Sequence, residues 1–377
     1  MRKKISFAGP SITQKEIDYV IDGVKNGFYE TFDQHRIKLE KAVAHYLGRK
    51  YAIATHTGTL ALHLSNASLG LRKGDEVICT DFSWVATAYS ILYTGAQPVF
   101  VDIDPDTWCI DPKKIKQAIT KRTKAIMLVH SFGIPAEMDE IMSIAREFNL
   151  SVVEDACPAL GSEYKGRKVG SFGDCGCFSF HGAKIAATGE GGMFTTDDED
   201  LYKKAGLLAE MGRTDSKAVF WSDFVGYQYT MANLTAALGL AQVERIEELV
   251  AIKRQIFTWY EERLKDVEGI RLIREKEGTR ANYCYPSIFV EKTIATHRDE
   301  IIRKLKEVNV HARPAFPRMS TLPTLKQRFA NPIAEQVEKR GISLPSAANL
   351  DEGDIDFVCN TLKEIIGHTK KRRNAGT

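Results

Sequence analysis

The chain has 377 residues, 44% of them hydrophobic and 27% charged, the profile of a soluble globular protein of about two domains. A formal net charge of +3 is too small to point to nucleic acid, and no window approaches the ~18 consecutive apolar residues of a membrane-spanning helix. The basic opening residues reach Pro10 without an apolar stretch, unlike a secretory signal, and the run Lys370–Arg373 reads as a solvated tail. Seven scattered cysteines suggest free thiols in a reducing compartment, so a cytoplasmic location is expected. Cys175 and Cys177 form a C-x-C with no second ligand cluster, which fits alternate residues of a strand better than a metal site, and no metal is expected.

In chain order, Thr13 and Glu16 make a capping box ahead of Ile17, Val20, Ile21 and Val24 at helical spacing. Short apolar runs then predict buried strands at 52–54, 76–79, 98–102, 125–130, 152–155, 177–180 and 193–195. Helical patterns at 59–69, 86–93 and 138–148 separate several of them. Such alternation predicts an α/β fold with a mostly parallel mixed sheet flanked by helices. After about residue 240 the pattern changes to a long helix over 236–264 that bends near Glu248, a strand over 283–290, and a helix over 298–308, punctuated by prolines. The expected division is a large domain over residues 1–245 and a smaller C-terminal α+β domain over 246–377.

Chemistry concentrates at the predicted strand ends. Asp155 closes an apolar strand at the carboxyl edge, where parallel sheets bind ligands, and a buried carboxylate there needs a cation or hydrogen-bond donors. Lys184 follows another strand and precedes the glycine-rich turn 188–192. Burial lowers a lysine pKa and supplies a neutral amine able to form a Schiff base. A lysine and an acid so placed suit pyridoxal 5′-phosphate (PLP), with the acid on the pyridine nitrogen. Gly58 and Thr59 open a helix after a strand and can cradle a phosphate, with Ser179 adding a hydroxyl. Trp84, just beyond a strand, offers a face to stack on the pyridine ring. Each feature has a bland alternative (a helix cap, a strand serine, a core tryptophan), and their joint occurrence at strand ends carries the reading.

The fragments Gly74-Asp-Glu-Val, Phe82-Ser-Trp-Val-Ala-Thr-Ala, Glu154-Asp-Ala, Ser179-Phe-His-Gly-Ala-Lys, Gly189-Glu-Gly-Gly-Met and Asn233-Leu-Thr-Ala-Ala-Leu-Gly, in this order and spacing, resemble the DegT/StrS-type sugar aminotransferases. The resemblance implies aminotransferase fold type I and a PLP enzyme that moves an amino group from glutamate to a keto-sugar. A nucleotide-linked 4-keto-6-deoxy sugar, as in perosamine-type synthesis for cell-surface polysaccharide, is the expected acceptor. It also implies roles: Lys184 as Schiff-base lysine and proton shuttle, Asp155 on the pyridine nitrogen, Trp84 on the ring, and Gly58, Thr59 and Ser179 on the phosphate. Gln228, in the stretch Gly226-Tyr-Gln-Tyr, would reach the phosphate of a second subunit, which implies a homodimer with shared sites. Arg313 is the expected C-terminal contact for a substrate carboxylate or phosphate, with a surface arginine as its bland alternative.

Four departures from the family pattern bear on substrate. Pro158 stands where a Gln, His or Glu is usual, Thr230 where Arg is usual, and Ser320 near a common His, while the loop 27–34 lacks the usual glycine. They favour, as the alternative, an acceptor that is a non-nucleotide keto-sugar or keto-phosphate. Dehydratase relatives carry histidine in place of the lysine, so Lys184 argues against that branch, and the presence of both Lys184 and Asp155 argues against a non-catalytic relative.

Overall fold

In the computed structural model, described for residues 3–214, 221–294 and 297–374, with side chains to 367, the seven predicted strands form one sheet. They are β1 (Tyr51–Thr55), β2 (Glu76–Thr80), β3 (Gln97–Val101), β4 (Thr123–Val129), β5 (Ser151–Asp155), β6 (Cys175–Ser179) and β7 (Gly192–Thr196). Their order is β1-β7-β6-β5-β4-β2-β3, and only β7 runs against the others. Strands buried on both faces need continuous apolar runs, and β2 is buried at every position. The chain is therefore α/β with a mostly parallel mixed sheet and the carboxyl ends of six strands on one edge.

The helices that flank this sheet include three close to their predicted bounds: α3 (Gly58–Ser68), α4 (Ala86–Leu92) and α6 (Met138–Phe148). The first, α1 (Gln14–Asn26), starts at the predicted capping box, where the Glu16 carboxylate accepts from the Thr13 N–H at 2.7 Å and hydroxyl at 2.6 Å. Sequence periodicity places no helix at α2 (Gln34–Leu47), α5 (Pro112–Ala118) or α7 (Glu199–Ala209). Leu39, Val43, Ala44 and Leu47 of α2 are buried and pack into the main core, so tertiary contacts hold this helix.

Two C-terminal expectations need correction. The single helix over 236–264 is two helices, α8 (Asn233–Val243) and α9 (Ile246–Leu264), and the break lies at Glu244–Arg245 rather than near Glu248. Arg245 is only 9% exposed and leaves helical geometry, with its guanidinium tied to Glu16 at 2.6 Å and Glu248 at 2.6 Å. The strand over 283–290 shortens to Ser287–Val290, because Tyr283 has φ of 50° and Pro286 lacks a donor for the ladder.

That strand belongs to a four-stranded antiparallel sheet of β8 (Ile270–Leu272), β9 (Ser287–Val290), β10 (Arg313–Pro314) and β11 (Gly341–Ser343), ordered β8-β9-β11-β10. Helices α10 (Arg298–Glu307), α11 (Pro332–Arg340) and α12 (Glu352–Asn374) accompany it, and the side chains of Lys370–Arg373 lie outside the described residues. Two buried carboxylates at strand ends join the sheets. Asp81, after β2, accepts from Ser320 N–H and hydroxyl, both at 2.7 Å, and from Asn331 at 2.8 Å. Asp102, after β3, caps α11 through the N–H groups of Ile333 and Ala334. The segment 313–334 is thereby held over the carboxyl edge of the large sheet.

Glu16 is 1% exposed. Burial raises its pKa, but bonds from Thr13, Arg245 and Gln242 outweigh this and lower it to about 2. A depressed carboxylate contributes stability above its unfolded value, lost as pH falls through the folded one. Glu16 should thus contribute about 3 kcal/mol at neutral pH, vanishing between about pH 4.5 and 2. Urea titration of Glu16→Gln should show a lowered midpoint at pH 7 and a difference from wild type that closes near pH 2.

Candidate active site

Side chains alternate along β5, so Glu154 and Asp155 face opposite sides of the sheet. Glu154 is fully buried and accepts from the N–H groups of Gly170, Phe172 and Gly173 at 2.6–2.7 Å and from His130 Nε2 at 3.0 Å. Burial acts to raise its pKa, but His130, Arg49 and the Gly173 N–H outweigh it and the carboxyl is held below its usual range. Its hydrogen bonds are met within the protein, which marks it as structural.

Asp155 differs. It is 4% exposed, and its carboxylate accepts from the Thr87 hydroxyl at 2.7 Å and the Cys157 N–H at 3.2 Å. Among the described residues no Lys, Arg or His forms an ion pair with it. A buried carboxylate without a cation retains an unmet demand for a donor.

Lys184 lies beyond β6 in a closed loop, bounded by the Phe180 N–H to Gly191 carbonyl bond at 2.9 Å and the Gly182 N–H to Gly189 carbonyl bond at 2.8 Å. Its amine stands 5.6 Å from the Tyr285 ring centroid and makes no hydrogen bond or ion pair among the described residues. The expected lowering of its pKa is corrected here. Burial does pull it down, but Tyr285, Cys284, Cys157 and Asp155 together hold it above the ordinary lysine value. The thiols of Cys157 and Cys284 are themselves pushed up by burial.

A cradle adjoins this pair. Thr57 caps α3 by accepting from the Leu60 N–H at 3.2 Å, and the Gly58 and Thr59 N–H groups meet no acceptor among the described residues. A methyl on Gly58 would lie 2.8 Å from Ser179 Cβ and 3.0 Å from Cys157 Sγ, so only glycine lets the helix start come this close to β6. Ser179 places its hydroxyl at the same point, where it accepts from the His181 N–H at 3.3 Å. Gly192 passes beneath, since a methyl there would sit 2.3 Å from the Thr57 carbonyl oxygen.

The remaining predicted residues fall into two groups. Trp84 is 63% exposed beyond β2, with its ring 6.1 Å from Phe316. Phe316 meets Phe132 at 5.4 Å, and Phe132 meets Tyr285 at 5.7 Å, so an aromatic wall links Trp84 to the lysine. Arg313, exposed on β10, lies 4.6 Å over Phe7, which stacks on the other side of Tyr285 at 5.1 Å. Gln228 is exposed between Tyr227 and Tyr229, whose rings stack at 4.7 Å, and no hydrogen bond or ring contact among the described residues ties it to the lysine. Thr87 stands inside a fragment quoted from the sequence and Cys157 directly follows another, whereas Tyr285, Phe7 and Phe316 reach the site through long-range packing that no local signal announces.

The model of the DegT/DnrJ/EryC1/StrS aminotransferase family matches residues 10–363. The chain belongs to that family. It is 40% identical to the GDP-perosamine synthase of Caulobacter vibrioides over 96% of this chain and 98% of the relative. The structure of DesI in the presence of its TDP-sugar product superposes with a TM-score of 0.91 at 29% identity, covering 100% of this chain and 96% of that one. The PLP form of a sugar aminotransferase homologue from Streptococcus pneumoniae gives 0.90 at 28% identity, covering 97% and 100%. This chain is a PLP-dependent sugar aminotransferase of aminotransferase fold type I.

The residues present suit PLP. The cofactor combines an anionic phosphate, a ring nitrogen that carries a proton, and an aldehyde. The structure offers unpaired helix-start N–H groups, a buried carboxylate lacking a cation, and an unengaged amine. Gly58→Ala forces Ser179 or Cys157 aside, and its PLP dissociation constant, measured by equilibrium dialysis, should rise about 10-fold or more.

Proposed function

We propose that this enzyme moves the amino group of glutamate to a nucleotide-linked 4-keto-6-deoxy sugar, a perosamine-type step in cell-surface polysaccharide synthesis. The retained lysine, Lys184, beside an unpaired buried Asp155 carries the amino-transfer reading. The likeness to GDP-perosamine synthases, at 40% and 36% identity over 96% of the chain, supports the acceptor class.

PLP supplies an aldehyde for an amine and a ring that withdraws electrons from the bond being broken. The chain supplies the rest. Asp155 would hold the proton on the ring nitrogen, with Thr87 and the Cys157 N–H fixing its carboxylate. Gly58, Thr59 and Ser179 would hold the phosphate, Trp84 would lie against the ring, and the Lys184 amine would accept and return the proton that amino transfer moves. Arg313, over Phe7, would receive an anionic group of donor or acceptor.

A homodimer with shared sites belongs to the same proposal, with Gln228 reaching the partner's phosphate. Its support is a run of exposed apolar side chains on α1 and the segment after it: Val24 is 53% exposed, Phe28 56%, Tyr29 89% and Phe32 64%. All seven cysteines are free, which supports the cytoplasm as location, and no described helix is long and apolar enough to cross a membrane.

An acceptor without a nucleotide is the second reading, favoured by two of the departures. Pro158 offers only its carbonyl, which accepts from Asn282 at 3.0 Å, and Ser320 is committed to Asp81. Nucleotide-linked keto-sugars assayed against free and phosphorylated ones, with glutamate as donor, separate the two readings. The nucleotide-linked set should turn over at least 10-fold faster in kcat/KM, and the reverse order would reject the first reading. Absorbance near about 400–430 nm should fade on adding glutamate, and Lys184→Ala should lose more than about 10³-fold in amino transfer.

A further inference from the structure

Tyr285 is absent from the sequence-derived set and lies 102 residues from Ala183, yet it touches the catalytic loop twice. Its hydroxyl donates to the Ala183 carbonyl at 3.1 Å, on the residue immediately before Lys184. Its ring lies 5.6 Å from the Lys184 amine, within the ~6 Å over which a cation is drawn to an aromatic face.

The ring is in turn fixed on both sides. Phe7 stacks on it at 5.1 Å and 25°, Phe132 meets it edge-on at 5.7 Å and 81°, and the residue is 7% exposed. A side chain held this firmly is a fixed platform, whereas a lysine with four methylenes is otherwise free to wander.

We propose that Tyr285 is a positioning residue for Lys184: its hydroxyl anchors the backbone at the lysine, and its ring receives the amine while that amine is disengaged from the cofactor. Amino transfer requires the lysine to leave the cofactor, carry a proton, and return. A resting place a fixed distance from Asp155's end of the sheet shortens that return and keeps the charged amine from solvent.

The groups facing the amine come from two segments. Tyr285 and Cys284 precede β9, Cys157 follows β5, and Asp155 ends it. The Tyr285 phenol is pushed up to about 12 by burial, with Lys184 and, across Phe7, Arg313 pulling it down, so at neutral pH it acts as a neutral ring and donor. The two thiols are neutral for the same reason of burial. The amine thus faces two thiols, the Asp155 carboxyl and one aromatic face.

The inference rests on the Lys184 assignment above, and its test needs neither cofactor nor sugar. The pH dependence of reductive methylation of Lys184, read by peptide mass in the cofactor-stripped full chain, reports the amine directly. Tyr285→Phe keeps the ring and should hold the midpoint within a few tenths of a pH unit, while Tyr285→Leu should lower it by about one unit. In the loaded enzyme both should lower kcat with the KM for sugar little changed, Leu more than Phe. Tyr285→Met replaces Leu in the comparison if thermal melting shows Leu unfolded. A midpoint unchanged in a folded Leu or Met variant overturns the proposal, as does a Phe variant that shifts as far as Leu. Lys184→Ala that still transfers the amino group would reject the underlying assignment, an outcome distinct from either.

Discussion

The site depends on two charged groups that the fold keeps apart, Asp155 buried and Lys184 half-buried. Asp155 and Lys184 feel each other electrostatically but form no ion pair, and neither finds another ionic partner among the described residues. Burying unpaired charge is costly, and closing the pair would remove much of that cost. The sheet prevents closure by fixing Asp155 at the end of β5 while Lys184 stands in a loop beyond β6, braced by Tyr285. A group with a protonated nitrogen at one end and an aldehyde near the other satisfies both. Binding such a group stabilises the folded state by mass action, so cofactor and fold are thermodynamically linked.

Adjacent carboxylates in one strand show how the same chemistry is sorted into structure and function. Glu154 faces the loop 170–173, which supplies three N–H groups, and His130 after β4, and its hydrogen bonds are met there. Asp155 faces α4 and receives two donors, with no cation paired to it among the described residues. Sequence alone presents them as one acidic pair, and only the pleat separates their roles. Asp81 and Asp102 use the same strand edge differently, pinning the C-terminal segment that carries Phe316 and Arg313.

The parts legible in the sequence are those set by short-range pattern. All seven strands of the large sheet and helices α3, α4 and α6 follow from apolar runs and periodicity, and Lys184, Asp155, Gly58 and Ser179 follow because strand carboxyl ends are local features. Helix α2 escapes notice because its stability comes from packing of Leu39 and Val43 into a distant core. The helix break at Arg245 depends on an ion pair with Glu16, far upstream. Tyr285, Phe7 and Phe316 assemble only when segments from both ends of the chain meet, so no window could have joined them. The lysine pKa followed the same rule, since burial is foreseeable but the balance against Asp155 depends on three-dimensional placement.

The central claim is that Lys184, and no other lysine, is the residue to which the cofactor becomes covalently attached. Borohydride reduction of the PLP-loaded protein, followed by peptide mass mapping, tests this most directly. The account predicts one modified peptide, bearing the reduced cofactor on Lys184. Modification at a different lysine, or a loaded protein that yields no covalent adduct, would contradict it.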